Sequence, residues 1–228
     1  MIDYFVKYHD KLTAALLQHL EIVFVSLLFS LLLAATLTVI CMYSKALSRL
    51  LVNIFSMIYS IPSLAMFAML IPLTGLGETT AILVLTVYNQ YLLLRNFIAG
   101  LNEVDAPVVE AATGMGMTKM QVIYKIRLPL SKKALFAGIR LATVSTIGIA
   151  TIAASINAGG LGAILFDGLR TMNFTKILWG SLLSAGLAIL ANALLGLVER
   201  KLNGKEEKAR RQHDNRASNK IPYGTDKL

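Results

Sequence analysis

Long uncharged runs separated by short polar stretches set the pattern of this chain. Ile22 to Tyr43 carries no charged residue, and at about 1.5 Å per helical residue it can cross a hydrocarbon core of about 30 Å. Four further runs repeat the signal over residues 50–73, 79–99, 134–156 and 177–198, with Arg95 and Arg140 the only charges inside them. In the second run, Ser60-Ile61-Pro62-Ser63 predicts a kink, because the proline ring removes a backbone donor and crowds the preceding turn. The third holds a polar cluster, Tyr88-Asn89-Gln90-Tyr91, and the fourth is rich in Thr, Ser, Gly and Ala. Before the first run, Phe5, Leu12, Leu16 and Leu20 recur at helical spacing among charges, which predicts an extracytoplasmic interfacial segment over 1–21, or else a disordered leader. No cleavable signal region is expected there. Residues 157–176 form a glycine-rich connection, and from Glu199 the chain turns polar and charged, a solvated tail expected to be disordered. The pattern therefore describes an all-α membrane protein of about five transmembrane helices, with a membrane domain over 22–198.

Composition agrees with that class. The chain is 56% hydrophobic and 15% charged, with a mean hydropathy of +0.64, too apolar for an average soluble domain. The net charge of +9 raises the question of nucleic acid, but the cations lie in loops and in the tail beside apolar runs, not on a basic folded face. No nucleic-acid partner is expected; membrane lipid is. If residues 103–133 lie in the cytoplasm, sixteen of the 22 Lys and Arg residues fall inside and four outside, which places the amino terminus outside and the carboxyl terminus inside. Arg95 and Arg140 then sit near cytoplasmic span ends, where their stems reach the interface.

Catalytic chemistry is not legible. The three histidines, His9, His19 and His213, all lie outside the runs, and neither His-Glu-x-x-His nor Gly-x-Ser-x-Gly occurs. The lone Cys41 excludes an internal disulfide and a thiolate metal cluster, so no metal site is assigned. Gly114 and Gly116 lack the preceding strand and the Gly-x-x-x-x-Gly-Lys-Ser/Thr pattern that wraps phosphates, so the chain is not expected to hydrolyse ATP itself. Coupling to an ion gradient usually needs an ionisable group inside the membrane, yet no Asp or Glu lies near the middle of any run. An ion-coupled secondary transporter is thus the weaker alternative, beside a structural scaffold. Candidates for lining a pathway are Tyr88, Asn89 and Gln90, and on the fourth run Thr143, Thr146 and Asn157; interhelical hydrogen bonding is an equal reading of the same residues.

The stretch from Glu110 to Pro129, EAATGMGMTKMQVIYKIRLP, stands apart as a polar, helix-compatible insert between the third and fourth runs. Val108–Ala112 and Lys119–Ile126 have helix-forming composition, the glycines at 114 and 116 permit a sharp reversal, and Pro129 is expected to stop the second piece. The spacing resembles the cytoplasmic EAA loop of bacterial ABC importer permeases: Glu110-Ala111-Ala112, then Gly116, then Ile126, Leu128 and Pro129. Ile61-Pro62-Ser63-Leu64-Ala65, Leu94-Arg95-Asn96, Asn157-Ala158-Gly159-Gly160-Leu161-Gly162 and Asp167-Gly168-Leu169 look like the quaternary-amine branch of these permeases. The third run departs at Tyr88-Asn89-Gln90-Tyr91 from the more apolar approach common there.

This resemblance implies a type I ABC importer permease fold and a multi-pass subunit in the plasma membrane of a bacterium. It implies that Glu110, Ala111, Ala112, Gly116, Ile126, Leu128 and Pro129 form an ATPase-coupling loop. Two ABC ATPase subunits would bind the ATP and Mg, with no cofactor in this chain; a second permease subunit, the same or a related chain, would complete the pore. An extracytoplasmic substrate-binding protein would deliver a solute such as glycine betaine, carnitine or choline, or another small, amino acid-like solute. Trp179, the single tryptophan, is read as an interface anchor, so selectivity for a quaternary ammonium is expected in the binding protein.

Overall fold

The computed structural model describes the backbone over residues 2–218 and side chains over 4–202, Phe5 excepted. Helix α1 (Ile2–Cys41) covers 40 residues, with a kink at Tyr8 (φ −124°, ψ 21°) after which it continues unbroken to Cys41. The segment 1–21, expected to lie apart at the interface, is therefore continuous with the first span. The cause is local: no glycine or proline falls between Ile2 and Cys41, so nothing ends the helix at Glu21.

A turn over 42–44 leads into α2 (Lys45–Tyr59), capped by Ser44, whose Oγ accepts from the Leu47 N–H at 3.3 Å. Helix α2 meets α3 (Ser63–Thr74) at 97°, so the single kinked span expected over 50–73 is instead two helices at nearly a right angle. Pro62 has extended ψ (134°) and starts α3, because its ring cannot continue the preceding turn. At about 22 Å and 18 Å neither piece reaches across a hydrocarbon core alone.

Helix α4 (Glu78–Asn102) runs parallel to α1, with Gln18 facing Glu78, Ser30 facing Asn89 and Gln90, and Cys41 packed on Leu94 and Ile98. The polar insert folds as α5 (Ala106–Gly114), α6 (Lys119–Val122), a π-helical turn (Ile123–Arg127) and α7 (Leu128–Leu130). Helix α8 (Lys132–Ala153) then returns antiparallel to α4, and its pairs Gly100/Ala134, Asn96/Gly138 and Asn89/Thr146 hold one register along the seam.

After a 3₁₀ turn (Ala154–Ile156) and the left-handed Asn157 (φ 68°), the glycine-rich connection contains a helix of its own, α9 (Leu161–Arg170). Its glycines serve packing as much as turning: a Cβ on Gly162 would run into the Thr151 carbonyl oxygen, and one on Gly168 would lie 2.7 Å from the Ile177 nitrogen. Helix α10 (Phe174–Ser218) closes the bundle against α8 and α9 and continues past Glu199, where a disordered tail was expected; residues 219–228 lie outside the described part. Lys, Glu, Ala, Arg and Gln dominate 205–212, and all are good helix formers, which outweighs their lack of an apolar face. Among the described residues, four helices are long and apolar enough to cross a membrane, and five segments are if the bent α2–α3 pair counts as one span.

Two ends result. One collects the first half of α1, Glu78, the 157–160 turn, α9 and the start of α10; the other collects residues 42–49 and the insert. Because α9 is seated through Gly162, Gly162→Ala is expected to lower stability by about 1–3 kcal/mol, read as a lower thermal midpoint in detergent with helix content retained. An unchanged midpoint would show that α9 is not held by that contact.

Candidate functional site

The insert is built as a rigid projection. Ala112 is buried, while Glu110, Ala111 and Gly116 are exposed on the outer side of the hairpin with Met115. Gly116 has φ +84°, a conformation that a side chain strains against, and its N–H returns to the Thr113 carbonyl at 2.9 Å. Thr118 and Gln121 form a capping box, each side chain accepting from the other's backbone N–H, at 3.3 and 2.8 Å.

Pro129 does not stop the chain as expected. The π turn before it widens the backbone, the Leu128 N–H reaching back to the Ile123 carbonyl, so that the helical path passes through Leu128–Leu130 with Ile126 and Pro129 half-buried and Leu128 exposed. Two side chains, through three hydrogen bonds, fix this path to the end of α4. The Arg127 Nη1 donates to the Leu101 carbonyl at 2.8 Å and to Asn102 Oδ1 at 3.1 Å, and the Ser131 hydroxyl donates to the Gly100 carbonyl at 2.6 Å.

The polar cluster of α4 faces inward. Asn89 (2% exposed) donates from Nδ2 to Thr146 Oγ1 at 2.9 Å and to Ser30 Oγ at 3.1 Å. Gln90 is fully buried and donates to the carbonyls of Ser30 and Thr86 at 3.2 and 2.9 Å. The Tyr88 hydroxyl donates at 2.5 Å to the Ile61 carbonyl, an acceptor freed by the break at Pro62, and the Tyr88 ring stands edge-on to Tyr59. Thr143 is buried and bonds back to the Ile139 carbonyl. Among the six candidate pathway residues, five thus lie between helices, and Asn157 alone is exposed, at the turn that ends the 3₁₀ segment.

At the end opposite the insert, Gln18 ties three segments, its Nε2 donating to Glu78 Oε1 at 2.6 Å and its Oε1 accepting from the Gly160 N–H at 3.0 Å. Beside it Lys176 pairs with Asp167 at 2.6 Å, a hydrogen bond that holds the Asp167 carboxyl below the usual carboxylate range. Arg140 bonds Asn192 Oδ1 at 2.9 Å and Glu199 at 3.1 Å, so it fastens α8 to α10 besides lying near a span end. Gln18, Ser30 and Asn192, which periodicity does not single out, also join helices; each is a polar residue that lipid would penalise, the one sequence signal for that role. The groove between α1 and α4 facing outward, about 630 Å³, is lined by Val25, Phe29, Leu32, Leu33, Ile82 and Leu83 with three threonines, and offers a polar solute little.

Residues 26–204 match the family model described as the binding-protein-dependent transport system inner membrane component. The carnitine transport permease protein OpuCD of Listeria monocytogenes is 37% identical over 209 residues, covering 91% of this chain and 94% of that protein. The choline transport system permease protein OpuBB of Bacillus subtilis is 35% identical, covering 81% of this chain and 85% of that one. A chain from the inward-facing MetNI methionine ABC transporter shares the fold, with a TM-score of 0.74 at 23% identity over 84% of this chain and 95% of that chain.

Interhelical bonds between polar side chains in membranes average about 0.6 kcal/mol and reach about 1.7. A double-mutant cycle on Asn89→Leu and Thr146→Val is expected to return a coupling free energy in that range, measured by reversible unfolding in mixed micelles; strictly additive effects would mean the pair shares no bond.

Proposed function

The chain belongs to the binding-protein-dependent transport system inner membrane components, and on that premise we propose that it forms one half of the pathway of an ATP-driven importer for a small quaternary amine of the glycine betaine, carnitine or choline class. The relatives named for carnitine and choline transport, matched over nearly their whole length, support that substrate class. ATP and Mg are held by two partner ATPase subunits, and an extracytoplasmic binding protein delivers and selects the solute. A second permease, the same or a related chain, supplies the other half of the pathway. The insert end lies in the cytoplasm, with the amino terminus outside.

The observation that carries this reading is the insert itself. Its exposed Glu110 and Gly116 sit on a hairpin locked by a capping box, and the hairpin is tied through Arg127 and Ser131 to the last turn of α4. A partner ATPase gripping the segment 110–116 would move α4 and the start of α8 with it, a rigid-body change between two states of the pathway. Tyr88, Asn89, Gln90, Thr143 and Thr146 hold the helices together during that movement. Asn157, exposed at the outer end, is the one of the six that a solute arriving from outside can reach.

Gly116→Val is expected to leave the subunit in the membrane, to reduce its co-purification with an ATPase partner, and to lower ATP-dependent uptake at least about tenfold, since the strained φ +84° is of order 1–3 kcal/mol for such a residue. Uptake of radiolabelled glycine betaine, carnitine and choline into vesicles, alongside an affinity pull-down, measures both. Unchanged uptake with unchanged pull-down would overturn the coupling assignment.

A further inference from the structure

At the insert end, a cavity of about 400 Å³ opens between the end of α1, the first turns of α2, the last residue of α4 and the π turn. Lys45, Arg49 and Arg127 converge on it, with Ser48, Asn53 and Asn102 as further polar lining and Cys41, Met42 and Val52 as its floor. No carboxylate lines it, and among the described residues neither Lys45 nor Arg49 has an ion-pair partner. Three uncompensated cations at one cavity repel one another, and an anion relieves that repulsion. Arg127 is held in place by Nη1 alone, through the Leu101 carbonyl and Asn102, which leaves the Nε and Nη2 donors of its planar fork for an oxygen-rich ligand.

The surroundings select the kind of anion. On α2, at about 100° per residue, Lys45, Arg49 and Asn53 form one stripe, Leu51, Val52 and Phe55 pack inward on Cys41, Leu94 and Ile98, and Leu50, Ile54 and Met57 form an exposed apolar stripe next to the polar one. A headgroup phosphate at Lys45 and Arg49 would thus have its acyl chains running along Leu50, Ile54 and Met57. Tyr43, half exposed and next in sequence to the cavity-lining Met42, suits the headgroup level.

We propose that this cavity is a binding site for the phosphate of an anionic phospholipid, with Lys45, Arg49 and Arg127 as its ligands and the outer stripe of α2 as the seat of its acyl chains. The site rests on the chain being a membrane subunit and does not depend on which solute is carried.

Native mass spectrometry of the full chain, purified in mild detergent, would be titrated with phosphatidylglycerol, phosphatidylcholine and free glycerol phosphate. The unaltered chain is expected to retain phosphatidylglycerol in preference to both others. The pair Lys45→Gln with Arg49→Gln is expected to lose at least about tenfold in apparent affinity for it, given the contribution of each basic residue near an anionic surface, whereas Arg200→Gln with Lys201→Gln, equal in charge removed, is expected to keep it. Equal retention of phosphatidylcholine, equal capture of free glycerol phosphate, or an unchanged affinity in the first pair overturns the proposal. So does a loss of ATPase co-purification in that pair with lipid affinity unchanged, which would assign the cations to an acidic partner surface. Should the first pair not fold, phosphatidylglycerol with a photoactivatable headgroup decides on the unaltered chain: adducts within 41–53 or at 127 support the site, and adducts elsewhere overturn it.

Discussion

The middle of α4 carries the constraint on which the rest depends. A carboxamide or hydroxyl in hydrocarbon costs several kcal/mol unless another group of the protein satisfies it. Tyr88, Asn89 and Gln90 place three such groups on consecutive residues, so they point in three directions, and each direction needs its own partner. Asn89 finds Ser30 and Thr146, Gln90 finds the Ser30 and Thr86 carbonyls, and Tyr88 finds the carbonyl that Pro62 leaves free. One short stretch thereby fixes α1 beside α4, α8 beside α4, and the angle between α2 and α3.

With that seam closed, the two ends can differ without disturbing it. At one, Gln18, Glu78 and Gly160 join segments that lie far apart in sequence; at the other, Arg127 and Ser131 fasten the insert to the carbonyls that end α4. Those carbonyls are orphans of the helix terminus, so the bonds that hold the insert also complete α4. Loosening the insert would fray the helix that carries the polar seam, so a force applied near Glu110, as the proposed coupling requires, would reach α4 and α8 instead of being absorbed in a floppy loop.

Much of this was legible from residue order. The apolar runs, the helical pieces of the insert and a reversal at its glycines, made at Gly116, follow from periodicity and backbone sterics, which act locally. The failures were also physical. Pro62 predicts a kink because a lone proline commonly bends a helix without splitting it; at the right angle observed, the Tyr88 hydroxyl, 26 residues later, donates a hydrogen bond to the liberated Ile61 carbonyl. Pro129 was read as a stop, whereas a π turn relieves the same clash one turn earlier. The polar residues of α4 and α8 fit two readings, since their spacing says that they face inward but not whether a neighbour or a solute waits there.

That ambiguity bears on how a solute crosses. The seam that could have hydrated it is closed by Ser30, Asn89 and Thr146, and the groove between α1 and α4 is apolar along the middle of the membrane. A zwitterion or cation passing along either would lose its hydration without replacement. If, as proposed, a second permease faces this chain, a polar route can lie between the two, across surfaces that this chain leaves uncovered. Helix α10, whose apolar window has no buried residue, and α3, whose single buried side chain is Phe67, offer such surfaces. Helix α3 is the more informative of the two, because it meets α2 at 97°. Its right angle ends a helix at membrane depth, and an ended helix exposes carbonyls that only protein or water can satisfy; Tyr88 takes one of them, and a water-lined space between two subunits is where the others would be met.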